Sequence, residues 1–282
     1  MRTQSRDTSP EAERVLIDLI RNASVAKRFK SVRSTTNTLL QMNIKNIQKL
    51  YPDATVAEIA QVFVAHPGKL SAPALVESLC ARLKDSRVVS EPDVLVVLNS
   101  ITTLFANQRV PYYIGGSLAS SIYGMPQLVR DLDIIADLQV VHVPLLIPLL
   151  QENYHVDIQE MYEAVQRRTS FSMFHLDTLF EVDVITSEFC SFEEGVYNRL
   201  QWHCLDEASC HFPIASPEDI VLIKLMLYEG YEIFPDDQWN DILGVLKVQK
   251  QDLDVSYLEK WAALLEITAL LEQAYVDAGI DP

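Results

Sequence analysis

The chain has 282 residues, of which 49% are hydrophobic and 22% charged, and these proportions are ordinary for a soluble globular protein. This length allows one large domain or two modest ones. The formal net charge of −16 argues against a broad positive surface, because affinity for nucleic acid is built from many contacts of lysine and arginine with phosphate. Extended DNA binding is therefore not expected, although short basic stretches could still contact nucleic acid locally.

The longest apolar run, Val140 to Leu150, is broken by one histidine and two prolines, and the first residues are charged where a secretion signal has an apolar core. We therefore expect a cytoplasmic protein with no membrane partner. The cysteines lack the CxxC spacing of a zinc site, which favours reduced thiols at Cys80, Cys190, Cys204 and Cys210.

Residues 1–90 are predicted to form a helical module, since apolar residues recur at helical spacing between proline breaks. The predicted helices are Pro10 to Ile20, Ser34 to Leu50, Ala57 to Val64 and Ala72 to Leu83, followed by a linker at Ser86 to Pro92. No residue of this module shows a catalytic pattern, so its role is open. It could mediate formation of a homo-oligomer or hold a partner.

Residues 91–215 are predicted to form an α/β core, a mixed twisted sheet flanked by helices, because strand and helix patterns follow one another. Strands are predicted at Pro111 to Ile114, Leu132 to Ala136, Tyr154 to Val156, Phe171 to Leu176 and Leu179 to Thr186. Helices are predicted at Pro92 to Gln108, Ser117 to Tyr123, Val143 to Gln151 and Ile158 to Gln166. Residues 216–282 are predicted to be a helical region packed on that core, with helices at Glu218 to Tyr228, Asp236 to Lys247, Asp254 to Leu265 and Thr268 to Ala278.

A first functional pattern lies where the apolar run Tyr112 to Ile114 ends in Gly115-Gly116-Ser117 before a predicted helix. Such a junction presents free backbone N–H groups and the positive end of a helix to an anion. The Ser117 hydroxyl can also bond a terminal phosphate oxygen. The segment is a predicted phosphate site, although Gly-Gly-Ser by itself more often marks a turn.

The second pattern begins fourteen residues after Ser117, where Asp131-Leu132-Asp133 opens an apolar strand. Side chains alternate along a strand, so the two carboxylates lie on one face. Neighbouring carboxylates are unfavourable unless a cation neutralises them, and Mg²⁺ binds carboxylate and phosphate oxygens. Asp131 and Asp133 are therefore predicted ligands of Mg²⁺ or Mn²⁺ that accompanies a nucleoside triphosphate.

Gly-Gly-Ser, a spacer of this length and Asp-x-Asp together resemble the signature of the nucleotidyltransferase superfamily, which has a polymerase-β-like fold. The resemblance covers about residues 92–278. It implies transfer of a nucleoside monophosphate from a triphosphate, with ATP as the expected substrate, to a hydroxyl acceptor. Superfamily members have a third carboxylate on a later strand, and Asp183 matches it. That residue would complete the metal site or act as general base, while the alternative is a solvent-facing strand that happens to be acidic.

Ser216-Pro217-Glu218-Asp219 is typical of a helix start. This segment, together with the residues that follow it to Leu243, resembles the C-terminal half of bacterial AbiEii-type nucleotidyltransferases. The resemblance implies that Lys224 contacts the triphosphate and that Asp241 is a further acidic residue of the nucleotide site. The alternative is that both are ordinary exposed residues of helices. Those relatives carry a basic residue where this chain has Asn240.

The acceptor stays open at this point. An AbiEii-type activity implies a toxin–antitoxin enzyme of bacteria that modifies a tRNA end, whereas likeness to minimal nucleotidyltransferases implies transfer to a protein side chain. A small molecule is also compatible with the acidic composition. The hypothesis from a different class is a non-catalytic member that binds a nucleotide or a partner.

Overall fold

The computed structural model describes residues 2–5, 7–64, 73–83, 93–188, 191–206, 211–229 and 236–280. The predicted linker Ser86 to Pro92 lies outside the described residues, as do Cys190 and Cys210. Cys80 and Cys204 are free thiols. Within the described part of the chain, no helix is both long and apolar enough to cross a lipid bilayer.

The helices are α1 (Pro10–Arg21), α2 (Val25–Leu50), α3 (Val56–Val64), α4 (Pro73–Leu83), α5 (Val94–Asn107), α6 (Gly116–Tyr123), α7 (Val143–Asn153), α8 (Ile158–Arg167), α9 (Phe192–Asn198), α10 (Pro217–Glu229), α11 (Asp236–Gln249), α12 (Val255–Leu264) and α13 (Thr268–Ala278). The strands are β1 (Tyr112–Ile114), β2 (Asp131–Ala136), β3 (Tyr154–Val156), β4 (Ser170–His175), β5 (Glu181–Thr186), β6 (Gln201–Cys204) and β7 (His211–Ile214). The predicted α/β class with mixed strand pairing and flanking helices is confirmed.

Contacts within the chain group it into two units. The first unit comprises Met1–Val32, Tyr113–Gln127 and Cys190–Pro282, and the second comprises Arg33–Tyr112 and Leu128–Phe189. Each unit is assembled from segments that are distant in sequence. The division into domains 1–90, 91–215 and 216–282 stays a prediction.

The second unit contains four strands in the order β3-β4-β5-β2. β4 runs antiparallel to β3 and β5, whereas β5 runs parallel to β2. Burial alternates along β2, with Leu132 and Ile134 in the core and Asp131 and Asp133 half-buried, as the period of a strand requires. Helices α7 and α8 pack on β3 and β4. This arrangement places the acidic residues of β2 and β5 on neighbouring strands.

The first unit contains β1, which pairs in parallel with β7, and β6, which pairs antiparallel with β7. The sequence did not predict α9, β6 or β7. The strands were missed because β6 is mostly half-exposed and β7 contains Pro213, which cannot donate to the ladder. Helices α6, α10 and α11 pack on one another, and α11 is buried along most of its length.

The start of α2 corrects the sequence-based boundary, since the helix begins at Val25 rather than Ser34. Ser24 opens it, because its hydroxyl accepts a hydrogen bond from the backbone N–H of Lys27 and its carbonyl accepts one from Arg28. The intervening residues are lysine, arginine and phenylalanine among small and β-branched side chains. None of these residues breaks a helix, so α2 begins before the more apolar stretch on which the predicted boundary was based.

An N-terminal segment of the first unit is bound to its C-terminal helices. Glu13 of α1 and Lys247 of α11 form an ion pair of 3.2 Å, and both side chains are 2% exposed. The backbone N–H of Gln4 donates to the Glu13 carboxylate, and the Gln4 side chain donates to the carbonyl of Asn240. Arg21 donates to the last carbonyls of α11. The position of α11 therefore depends on residues more than two hundred positions earlier in the chain.

Candidate functional site

The second unit brings four carboxylates together on two adjacent parallel strands. Asp131 lies opposite Glu181, and Asp133 lies opposite Asp183. In-register residues of adjacent strands project to the same face, so the four side chains form one acidic group. Glu181 is buried, while Asp131, Asp133 and Asp183 are half-buried. The sequence-predicted carboxylates of the second unit are thus neighbours, although fifty residues separate the two pairs.

Asp183 has the most perturbed carboxyl of this acidic group. Its pKa is raised to about 7, chiefly by burial; a hydrogen bond from Ser172 opposes the rise, and the charges of Glu181, Asp133 and Asp131 add to it. That bond, from the Ser172 hydroxyl to Oδ1 of Asp183, is 2.6 Å long. A carboxyl with a pKa near neutrality can accept a proton in one step and release it in another.

The acidic group offers carboxylate oxygens to a divalent cation. Among the described residues, no three His, Cys, Asp or Glu side chains converge closely enough to form a complete set of ligands. Mg²⁺, however, is commonly bound by one or two carboxylates, with substrate phosphates and water supplying the other oxygens. The hard oxygen donors and the repulsion that raises the pKa of Asp183 both suit a cation of this type. The donor set therefore fits Mg²⁺ or Mn²⁺ as a partial site.

In the first unit, Gly115-Gly116-Ser117 forms the start of α6. Gly115 is the N-cap residue and has no side chain to bond the free N–H groups of the first turn. Gly116 has φ of 55°, in the left-handed region where residues with a Cβ are strained. The local geometry is the predicted junction of a strand and a helix. At Gly115 and Gly116, an approaching anion could bind only to backbone groups, because glycine has no side chain.

Lys224 of α10 and Asp241 of α11 form a buried ion pair in the same unit. The Lys224 ammonium lies 2.8 Å from Oδ2 of Asp241, and the two side chains are 5% and 10% exposed. Gln238 accepts a second hydrogen bond from Lys224, at 2.9 Å. The expectation that these could be ordinary exposed residues is therefore wrong. The charge of Lys224 is paired within the protein.

Ser120 connects this ion pair to α6. Its hydroxyl contacts Oδ2 of Asp241 at 3.1 Å and the carbonyl of Ser117 at 3.1 Å. Lys224, Asp241, Ser120 and Ser117 therefore lie side by side at the first turn of α6, with Ser120 sharing its one hydroxyl proton between two acceptor oxygens. Three of these four residues were predicted from the sequence as nucleotide-site residues, and the structure brings them together within the first unit.

Comparison with known proteins finds likeness in structure only. No protein-family model matches the chain, and no curated protein matches its sequence. The lincomycin-bound structure of the lincosamide antibiotic adenylyltransferase LnuA is 18% identical with a TM-score of 0.38, and the match covers 57% of this chain and 99% of that one. An antigenic nucleotidyltransferase-like protein from Paracoccidioides brasiliensis is 13% identical with a TM-score of 0.40, covering 66% and 93%.

The solution structure of the antibiotic-resistance factor ANT(2'')-Ia is 15% identical with a TM-score of 0.39, and the match covers 64% of this chain and 96% of that one. These three proteins are an adenylyltransferase, a nucleotidyltransferase-like protein and an antibiotic-resistance factor, and these descriptions apply to them rather than to this chain. The chain resembles them in structure at low identity.

Sequence reasoning missed two serines that contact predicted site residues. Ser172 bonds Asp183, and Ser120 bonds Asp241. Ser120 had a weak signal, since it lies one helical turn after Ser117 and thus on the same face of α6. Ser172 had none, because a strand pattern gives the face of a residue but not the residue opposite it.

The helix start at Ser216 has a structural explanation. The Ser216 hydroxyl accepts from the backbone N–H of Asp219, at 3.2 Å, as an N-cap residue does. Asp219 is fully buried, and it also accepts a hydrogen bond from Tyr257. Burial raises the pKa of Asp219, while the bonds from Tyr257 and Ser216 and the charge of Arg199 oppose that rise. These contacts anchor α10, which carries Lys224.

Proposed function

We propose that the chain is a metal-dependent nucleotidyltransferase, which transfers a nucleoside monophosphate from a triphosphate, with ATP the expected substrate, to a hydroxyl acceptor. The observation that carries the proposal is the acidic group, in which Asp131 and Asp133 lie in register with Glu181 and Asp183 on parallel strands. In this proposal Asp131, Asp133 and Asp183 offer carboxylate oxygens to Mg²⁺ or Mn²⁺ as a partial site, and substrate phosphates and water would complete the coordination. Gly115, Gly116 and Ser117 bind the phosphates.

The proposed reaction exchanges one bond at phosphorus for another and moves one proton. The acceptor oxygen bonds to the α-phosphorus, the bond from that phosphorus to the oxygen of the departing pyrophosphate breaks, and the hydroxyl proton moves to a base. The bound cation would neutralise charge on the attacking and leaving oxygens. If Asp183 is not a ligand of the cation, it is the candidate base, because its pKa of about 7 in the metal-free protein lets it accept a proton near neutral pH.

Lys224 and Asp241 are assigned to the nucleotide site as a pair. Since Asp241 and Gln238 hold the Lys224 ammonium in place, we propose that Lys224 contributes a fixed positive charge near the first turn of α6. The Ser120 bridge to the carbonyl of Ser117 supports this assignment. In this assignment Asp241 orients the lysine and compensates the cost of burying its charge.

The proposed acceptor is a hydroxyl of a protein side chain, a tRNA end or a small molecule. The net charge of −16 favours a protein or a small molecule over a long nucleic acid. A role in a toxin–antitoxin pair would apply to the tRNA acceptor, and a partner or a second copy of the chain could bind through the N-terminal helices.

The test is transfer of label from each α-labelled nucleoside triphosphate, with Mg²⁺ or Mn²⁺, into the RNA, protein and small-molecule fractions of a bacterial lysate. Wild type is compared with Asp133→Asn and with Asp252→Asn, an exposed aspartate outside the acidic group that undergoes the same chemical change. We expect label with wild type and Asp252→Asn, and a loss of at least about a hundredfold with Asp133→Asn. Equal labelling by Asp133→Asn would contradict the assignment.

A second candidate function is non-catalytic binding of a nucleotide or partner. It is favoured by the internal pairing of Lys224 with Asp241, which leaves that ammonium less available to a phosphate. The same assay separates the two functions, because a binding protein labels no fraction. An ATP-dependent rise in melting temperature without any labelling would support the second candidate.

A further inference from the structure

Ser172 lies on β4, the strand beside β5, and it is the register partner of Asp183. Its hydroxyl donates a hydrogen bond of 2.6 Å to Oδ1 of the Asp183 carboxylate. In the described part of the chain, this is the hydrogen bond that engages that carboxylate, and it restricts how the carboxylate can rotate. The second carboxylate oxygen of Asp183, Oδ2, can therefore bind a different group.

We propose that Ser172 is a positioning residue of the metal site, holding Asp183 through Oδ1 so that Oδ2 is available to the cation. The inference rests on the proposed function, in which Asp183 binds Mg²⁺ or Mn²⁺. A hydrogen bond to an ionised carboxylate is shorter and stronger than one between neutral groups. Groups that bond to metal ligands commonly change metal affinity by about 10- to 100-fold when they are removed.

The strand itself provides a control for a merely structural role. Ser170 lies two residues before Ser172, so its side chain is on the same face of β4. Ser170 is exposed and lies opposite Ile185 rather than a carboxylate. Replacing either serine with alanine makes the same chemical change in the same strand. Only the change at residue 172 removes a contact with the acidic group.

The experiment measures Mn²⁺ binding to the full chain by calorimetry, with and without a saturating non-hydrolysable ATP analogue. The proteins are wild type, Ser172→Ala, Ser172→Thr, Ser170→Ala and Asp183→Asn. We expect Ser172→Ala to weaken Mn²⁺ binding about tenfold, and Asp183→Asn to weaken it more. Ser172→Thr keeps the hydroxyl and suits a strand, so its affinity should lie within about threefold of wild type. Ser170→Ala should bind as wild type does.

Three contrary results are distinguishable. If Asp183→Asn loses affinity while Ser172→Ala matches Ser170→Ala, the positioning role is wrong and the proposed function stands. If Asp183→Asn binds Mn²⁺ like wild type, Asp183 is not a ligand and the positioning role is wrong, while the proposed function can rest on Asp131 and Asp133. If wild type binds no Mn²⁺ in either condition, both the metal site and the positioning role are wrong. Should Ser172→Ala not fold, Ser172→Cys carries the test, because it keeps the size but donates weakly, and the same tenfold loss is expected.

Discussion

At the scale of single residues, the molecule holds charged groups in places where they are unfavourable alone. The acidic group concentrates four carboxyls on one strand pair, and Lys224 and Asp241 are buried together. Removing one partner of a buried ion pair leaves an uncompensated charge and typically costs about 3–5 kcal/mol. These residues therefore reduce stability unless each has its partner, as is common in sites that bind charged ligands.

The carboxyl of Asp183 leads to a prediction about pH. Its pKa is about 7 in the folded protein against an ordinary value of 3.8, so the folded chain keeps a proton that the unfolded chain loses as pH rises. Stability from this group is fully present below pH 3.8 and is lost as pH rises through about 7. Without metal, the melting temperature of wild type should fall between about pH 5 and about pH 8 relative to Asp183→Asn.

Thermal unfolding in a chelator measures this difference. Each kcal/mol removed should correspond to about 2–4 °C for a chain of this size. Asp252→Asn, an exposed site, should follow the wild-type curve at both values of pH. Parallel curves for wild type and Asp183→Asn would show that Asp183 titrates normally.

At the scale of elements, most helices and strands could be predicted because their apolar periods are local properties of the sequence. The helix Thr268–Ala278 and the strand Tyr154–Val156 have the predicted bounds. What could not be predicted is which elements touch. The pairing of β2 with β5 and the contact of α6 with α11 join segments far apart in sequence, and a local period contains no information about either.

The contact of α6 with α11 depends on Gly124, the residue that ends α6. A Cβ at this position would lie 2.7 Å from the backbone nitrogen of Val245 and 2.8 Å from the carbonyl carbon of Gly244. Backbone atoms in packed helices cannot move aside cheaply, so we expect Gly124→Ala to lower the free energy of unfolding by about 2 kcal/mol. Denaturant titration measures this loss.

Gly195 of α9 is the matched control. A Cβ there would lie 3.6 Å from the Trp261 ring, which is ordinary van der Waals contact. Gly195→Ala should be neutral or stabilise by up to about 1 kcal/mol, since alanine favours helices. A loss in Gly195→Ala as large as that in Gly124→Ala would mean that the close approach at Gly124 is not the cause.

At the scale of the whole molecule, the residue types of the candidate site could be predicted from the sequence, but the contacts between them could not. Asp131, Asp133 and Asp183 follow from residue type, strand position and family resemblance, and they lie in one acidic group. The pairing of Lys224 with Asp241 did not follow, because a helical period predicts neither the burial of a charged residue nor its partner. Hydroxyls such as Ser172 follow no pattern, so the structure was needed to find them.

The ion pair of Glu13 with Lys247 gives a prediction for the first unit. Burial lowers the pKa of Lys247, while the charge of Glu13 opposes that change. Glu13→Gln removes this compensation and should cost about 3 kcal/mol of unfolding free energy. Glu11→Gln makes the same change at an exposed position of α1 and should cost less than about 1 kcal/mol.

Denaturant unfolding measures the free energy of unfolding of both variants, and equal small losses would contradict the importance of the buried pair.

Because Glu13 and Lys247 lie 234 positions apart, the two residues are synthesised at very different times. A ribosome releases Glu13 early and Lys247 late, so α1 cannot form this contact until α11 has been translated. A stalled or truncated product would therefore keep the apolar face of α1 exposed, which makes it a natural substrate for chaperones and proteases.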